Sequence, residues 1–306
     1  MTMRYGEESR IMVVIEKKHA YLIVAHKDPW LLDTLIRAVD DERNDIFLHV
    51  DIKADFTHQP VFAPRHAGMI VMPRMNVTWG GDTQIECTLR MLEEVSRHNE
   101  YSYVHLISGA DLPIKSQDYI HAQLNADGQM NYIKLDHDYR YPEDYRYRIG
   151  EYHFLQNRVG RRSDTAGRIL RGVEKLSLKA QRSIGIDRIK KFPYRLYKSS
   201  NWFSITGELV KYLVHNAYYI RKNYYKSFLS DEVFLPSVIM NSPYASTVVD
   251  DDLRMVDWTR GNPYIWRSGD FAALAASQEL FARKFDTAVD SAIVARVGKE
   301  LALATE

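Results

Sequence analysis

Short apolar runs bounded by polar or turn-forming residues recur through the first half of the chain, at 20–25, 46–50, 69–72, 103–107 and 130–135, and predict β-strands. Between them the apolar positions take helical spacing. Leu31, Leu32, Leu35, Ile36 and Val39 share one face of a helix over 30–39, and Ile85, Leu89, Leu92 and Val95 one face of a helix over 83–96. Alternating strands and helices imply an α/β fold, with a mostly parallel central sheet and helices on both faces. In the second half the pattern predicts a Tyr- and Arg-rich loop over 139–152, a weakly amphipathic helix over 169–178 and a linker to residue 192. A strand over 202–205, helices over 209–220 and 232–240, a strand over 256–258 and an amphipathic helix over 271–284 precede a polar tail.

A length of 306 residues is about twice the usual single-domain length, enough for a large buried core. With no internal repeat or low-complexity stretch, the chain reads as one domain over 1–306, its core at 20–290. Charge refines this picture. The net charge is only +1, yet residues 146–198 carry 15 Lys and Arg against 4 Asp and Glu, which reads as a basic surface insertion. The single cysteine, Cys87, excludes an internal disulfide and any Cys-based zinc cage, which suits a reducing cytoplasm. The apolar run 11–15 is too short for a signal-peptide core or a membrane span, so a soluble protein is expected.

Several nucleotide and hydrolase machines are excluded by missing motifs: the phosphate-binding P-loop, the dinucleotide Gly-x-Gly-x-x-Gly, the Gly-x-Ser-x-Gly elbow and His-Glu-x-x-His. In parallel sheets ligands sit beyond the carboxyl ends of the strands, where this chain places His26, Asp51, Asp111 and Asp136. Asp51 is suited to a ribose or base hydrogen bond, and equally to capping a turn. In Trp79-Gly80-Gly81-Asp82 the adjacent glycines either bring backbone amides to a phosphate or sugar, or form a tight turn with an Asp cap. Asp136-His137-Asp138 and Asp250-Asp251-Asp252 have the Asp-x-Asp spacing that can hold a divalent metal, a spacing also common among solvated or capping acids. Ser230-Asp231-Glu232 opens a helix, where acids suit the helix dipole and a fixed Glu would serve as a general base. Phe281-Ala-Arg-Lys284-Phe-Asp286, with Arg260 and Arg267 upstream, offers fixed cations that could neutralise a departing diphosphate.

Eight segments, in order, resemble the core-2/I-branching β-1,6-N-acetylglucosaminyltransferase family, which includes peptide O-xylosyltransferases and many bacterial members. They are Ala20-Tyr-Leu-Ile-Val-Ala-His26 with 32–38, His49-Val-Asp51-Ile-Lys53, Trp79-Gly-Gly81 and His105-Leu-Ile-Ser-Gly-Ala-Asp111-Leu-Pro-Ile-Lys115. The others are Lys198-Ser-Ser-Asn-Trp202-Phe-Ser204, Ser230-Asp-Glu232, Val256-Asp-Trp258 and Phe281-Ala-Arg-Lys-Phe-Asp286. The resemblance implies a GT-A type, Rossmann-like glycosyltransferase that transfers a sugar, GlcNAc or xylose, from a UDP-sugar with inversion to a hydroxyl of a glycan or lipid-linked glycan acceptor. It also implies that no metal or other cofactor is required. By position it makes Glu232 the catalytic base and Lys284 the diphosphate lysine, with Arg260, preferred over Arg267, as its partner. His26 and Asp51 fall at the uridine end, Gly80, Gly81 and Asp111 in the donor pocket, and Trp202 and Trp258 on the acceptor wall or in plain core packing.

The expected role is cell-surface polysaccharide or lipopolysaccharide synthesis on the cytoplasmic side, with the basic segment making peripheral contact with anionic membrane. Two rival readings use the same residues: a non-catalytic binder of anionic membrane or nucleic acid through 146–198, and a nucleotidyltransferase. No nucleic-acid motif accompanies the charge, and no Gly-rich phosphate loop accompanies the second.

Overall fold

The structure is a computed structural model that describes residues 17–56 and 63–303; the apolar run 11–15 lies outside the described residues. In chain order the strands and helices are β1 (His19–Ala25), α1 (Pro29–Ala38), β2 (Asn44–Val50), β3 (Gly68–Val71), α2 (Asp82–Val95), β4 (Tyr103–Ser108), β5 (Asp111–Pro113), α3 (Gln117–Ala126) and β6 (Asn131–Leu135). There follow α4 (Gln156–Val159), α5 (Thr165–Ser183), β7 (Ser199–Thr206), α6 (Gly207–His215), α7 (Ala217–Tyr224), α8 (Asp231–Met240), β8 (Val248–Val249), β9 (Arg254–Val256), α9 (Phe271–Ala276), β10 (Phe281–Arg283) and α10 (Thr287–Val297).

Among the described residues a seven-stranded sheet has the order β3-β2-β1-β4-β7-β6-β8. All pairings are parallel except those of β7, which runs antiparallel to both β4 and β6. Side chains alternate between two cores. Ala20, Leu22, Phe47, Val104, Leu106, Phe203 and Ile205 meet α2 and α6–α8, whereas Tyr21, Ile23, Ile46, Leu48, Tyr103 and Ile107 meet α1, α3 and α10. Such two-sided burial explains why β1, β2 and β4 read as continuous apolar runs. Asp28 caps α1 by accepting from the Leu31 N–H at 3.2 Å, and Pro29 supplies the fixed first-turn φ.

The parallel strands β1, β2 and β4 end on one edge, with Ala25 opposite Val50 and Val24 opposite Ser108. Because β7 is antiparallel, its beginning lies at that edge, bringing Asn201 and Trp202 beside the end of β4. A small second sheet, β5-β10-β9, closes over this edge. Arg254 ties the two sheets together: it is buried and donates to the carbonyls of Leu106 (3.0 Å) and Phe203 (2.7 Å).

Four expectations are corrected. The helical pattern 271–284 is helical only to Ala276; Phe281–Arg283 is a strand instead, because Phe281 and Ala282 are fully buried where they pair with β5 and β9. The helix 209–220 breaks into α6 and α7 at Asn216, whose N–H closes the first on Tyr212 and Leu213. The polar tail contains α10, anchored by buried Ile293, Val294 and Val297. Nor is 146–198 only a solvated surface. Arg188 is buried and donates to the carbonyls of Glu151, Asn223, Tyr225 and Lys226 and to Ser227 Oγ, pinning the segment to the body. Among the described residues no helix is long and apolar enough to cross a membrane.

Candidate active site at the carboxyl edge of the sheet

The small sheet brings two cations to this edge. In β10, Arg283 pairs directly with Asp111 of β5; its guanidinium donates to Asp111 Oδ1 (2.8 Å) and Ser108 Oγ (2.7 Å) and lies 4.3 Å over the Trp202 ring. Asp111 is buried and also accepts from the Ser108 N–H at 2.6 Å, so this carboxylate is committed to organising the loop. Lys284 follows, half-buried. Partial desolvation first, then the positive charges of Lys27 and Arg283, hold its ammonium below the usual lysine range. Lys27 is itself paired with Asp286 at 2.5 Å. His26 joins this group and is likewise lowered, by partial desolvation first and then by Lys27 and Lys284. The result is a patch of clustered cations, an electrostatic environment suited to a polyanionic ligand.

Glu232 lies in the first turn of α8, a helix buried nearly all round, and so has a rigid base. Its Oε2 accepts from Arg148 Nη1 at 2.8 Å and faces Lys198 Nζ at 3.7 Å. Both cations lie over the Tyr139 ring, Arg148 at 5.2 Å and Lys198 at 4.8 Å. Lys198 also binds Asp136 Oδ2 at 2.7 Å, while Asp138 is turned to solvent. The Asp-x-Asp pair is thus spent on a lysine rather than gathered as a chelate. Arg148 and Lys198 are contacts of Glu232 that the sequence reading missed, since both disappear into a segment read as surface charge. The only signal was that Lys198 opens one of the family-like segments.

Asp231 lies one residue before Glu232 and is buried. Its Oδ2 accepts from Gln84 Nε2 at 2.7 Å and from Asn201 Nδ2, whereas the buried Oδ1 has no hydrogen-bond partner among the described residues. Burial first, then the neighbouring charge of Glu232, push its carboxyl up to about 6. Asp231, Asn201, Trp202, Gln84, Val24 and Phe203 line a half-open hollow. Trp202 therefore touches both the cationic patch, through Arg283, and the hollow below Glu232.

The sequence-predicted residues divide accordingly. His26, Asp111, Trp202, Glu232 and Lys284 gather at the edge. Asp51 is buried there too, but binds Lys53 through its backbone N–H and ammonium and the Val77 N–H, all within 3.0 Å; burial alone would raise its pKa, and these donors outweigh that and lower it. Gly80 and Gly81 form the tight turn. Gly80 has φ +73° and donates to Gln84 Oε1, and the Gly81 N–H donates to Thr78 O at 3.0 Å, so neither amide is presented to a phosphate. A Cβ on Gly81 would overlap the Asn157 side-chain oxygen, so close packing explains that glycine. Arg260 is held between Asp257 (2.5 Å) and Asp270 (2.7 Å) and stacks 3.9 Å over Tyr264; Arg267 is exposed, and Trp258 is 65% exposed.

The sequence model of the Core-2/I-Branching enzyme family matches residues 19–282, from the start of β1 into β10, ending just before Arg283 and Lys284. The chain belongs to that family. Its α/β architecture, a mostly parallel sheet with helices on both faces, is the GT-A-like arrangement the resemblance implied. Among similar proteins, the Core-2/I-Branching chain is 24% identical over 328 residues to Xylosyltransferase 1 of Canis lupus familiaris, covering 96% of this chain and 32% of that protein. It is 23% identical over 317 residues to Xylosyltransferase 2 of Homo sapiens, covering 90% of this chain and 32% of that protein. The chain thus spans about a third of the length of the curated relatives it matches.

Proposed function

We propose that this chain is a UDP-sugar-dependent glycosyltransferase that moves one sugar, with inversion and without a metal, to an acceptor hydroxyl. The observation that carries the reading is the pairing, on one edge of the sheet, of a carboxylate fixed at a helix start, Glu232, with the cations of β10 and its neighbours. An inverting displacement needs these two things and no enzymic nucleophile. The acceptor oxygen attacks the anomeric carbon and passes its proton to Glu232, while the bond to the UDP oxygen breaks and its electron pair leaves on the β-phosphate. Arg148 and Lys198 hold the Glu232 carboxylate in place for that transfer. Lys284, with Lys27 and Arg283 beside it, takes the diphosphate charge, a role a metal fills elsewhere. The two arginines weighed from the sequence remain as rivals to Arg283 for the second diphosphate contact. Arg260, like Arg283 on Asp111 and Lys27 on Asp286, would have to exchange a carboxylate for the phosphate, whereas Arg267 is exposed.

His26 and Asp51 take the uridine end, and Trp202 offers the aromatic face on which a sugar packs. Because the relatives are named xylosyltransferases, xylose stands beside N-acetylglucosamine as the transferred sugar. The acceptor is a hydroxyl of a glycan or lipid-linked glycan. A panel of UDP-sugars assayed for UDP release with and without EDTA tests this. Release from one donor that persists in EDTA supports it, and release that requires added divalent metal overturns the metal-free route.

A further inference from the structure

Helix α5 presents a row of large apolar side chains to solvent. Its 19 residues contain one acid, Glu174, which faces inward. Glu174 Oε2 accepts from the Leu155 N–H at 3.1 Å, and Gln181, also inward, exchanges hydrogen bonds with the backbone of Tyr152 at 2.7 and 2.8 Å. The helix is thus attached to the body largely through polar contacts. Leu178 also packs inward, but four large apolar side chains point the other way: Ile169 is 62% exposed, Val173 50% and Leu176 69%, and Ile184, just past the end, 75%. Spacings of four, three and eight residues put these side chains in one stripe along a helix of roughly 28 Å, with Ala180 between the last two.

A second row, Arg168, Lys175, Lys179 and Arg182, follows helical spacing along one flank of the stripe, and all four are exposed. Arg182 pairs with Glu151; among the described residues no ion pair engages Arg168, Lys175 or Lys179. Large apolar side chains aligned in solvent call for a covering partner. Apolar contact beside unpaired cations is the chemistry of a helix lying in the interface of an anionic bilayer, its stripe among the acyl chains and its lysines at the phosphates. A second copy of the chain would bring two cation-rich helices together with no outward acid on either. A nucleic acid would satisfy the cations and leave the stripe wet.

We propose that the outward face of α5 is an in-plane binding site for anionic lipid membrane. This rests on the helix itself and holds whatever sugar is transferred. The helix packs on α4, whose Asn157 accepts from the first N–H of α2, so membrane-bound α5 would be tied through α4 to the body that carries the proposed site.

The test is cosedimentation of the full chain with vesicles of phosphatidylcholine alone or mixed with phosphatidylglycerol, at low and high salt. Two double variants go alongside, Ile169→Ser with Leu176→Ser and Lys175→Glu with Lys179→Glu. All four positions are exposed, and circular dichroism checks that both variants fold. The expected result is binding to the anionic vesicles that salt weakens, and a partition reduced about tenfold or more in each variant. Because Cys87 is buried, a Leu176→Cys chain labelled with an environment-sensitive dye should shift to the blue on anionic vesicles. UDP release in solution should be unaltered by either double variant. Wild type left in the supernatant, or serine-variant binding equal to wild type, would overturn the proposal. So would a dimer at micromolar concentration that the serine variant abolishes, since the stripe would then be covered by a second copy.

Discussion

Three histidines stacked under the amino-terminal end of the sheet make stability depend on pH in a calculable way. His19 lies flat on His121, ring centroids 3.8 Å apart, and 5.2 Å from His105, and all three are buried. His121 Nε2 is bonded to Asn44 Oδ1 at 2.9 Å, and its buried Nδ1 has no hydrogen-bond partner among the described residues. Burial first, then the charge of Arg43, hold the His121 imidazole at about 4. Between that value and the ordinary ~6.5 the unfolded chain binds a proton that the native chain does not, so stability falls as pH drops through 6.5 and levels off below about 4. His121 alone accounts for ~2 kcal/mol lost between pH 8 and pH 5, and ~3 kcal/mol at the acid limit. His19 and His105 are also held low, by burial first, and add in the same direction. Urea unfolding followed by circular dichroism at pH 8, 6 and 5, on wild type and His121→Gln, isolates the contribution, because the carboxylates titrate alike in both. The variant is less stable at pH 8, where it loses packing, but its loss between pH 8 and pH 5 should be smaller by ~2 kcal/mol. Parallel pH profiles for the two proteins would refute the reasoning.

Asp231→Asn should stabilise the chain by ~1–3 kcal/mol above pH 6, since it removes a buried charge beside Glu232. The native carboxyl is raised to about 6 from an ordinary value near 3.8, so the advantage should vanish as pH falls below about 4, read by thermal melts across pH. Gly81→Ala displaces the Asn157 side chain from the Asp82 N–H and should cost ~0.5–1.5 kcal/mol in the same melts; an unchanged melting temperature would contradict the packing assigned to that glycine. Lys284→Ala should weaken UDP binding by calorimetry about tenfold or more. Arg283→Ala, Arg260→Ala and Arg267→Ala, compared side by side, should identify the second diphosphate contact by which one matches that loss.

The parallel core was legible in the sequence because β1, β2 and β4 are buried on both faces, so their composition alone marks them. The small sheet was not. Asp111–Pro113 and Phe281–Arg283 are three-residue strands whose pairing is decided by contacts more than 160 residues apart in sequence, and no local period encodes that. Glu232 and Lys284 stood out in the pattern only as a helix-start acid and a cation between aromatics, and their proposed roles came from the resemblance, since a glutamate at a helix start has a capping role available to it. Arg148 and Lys198 were hidden for the opposite reason. In a stretch with 15 basic residues, nothing local distinguishes the few that turn inward, Arg188 among them, from those that face solvent.

Glu232→Gln bears most directly on the proposed chemistry. It keeps an oxygen that Arg148 can engage and removes the ability to take a proton. UDP release from the preferred UDP-sugar in the presence of acceptor and EDTA should fall by ~10²- to 10⁴-fold, with UDP affinity within about threefold of wild type. Wild-type turnover in Glu232→Gln would contradict the assignment of the base and with it the inverting mechanism built on this edge of the sheet.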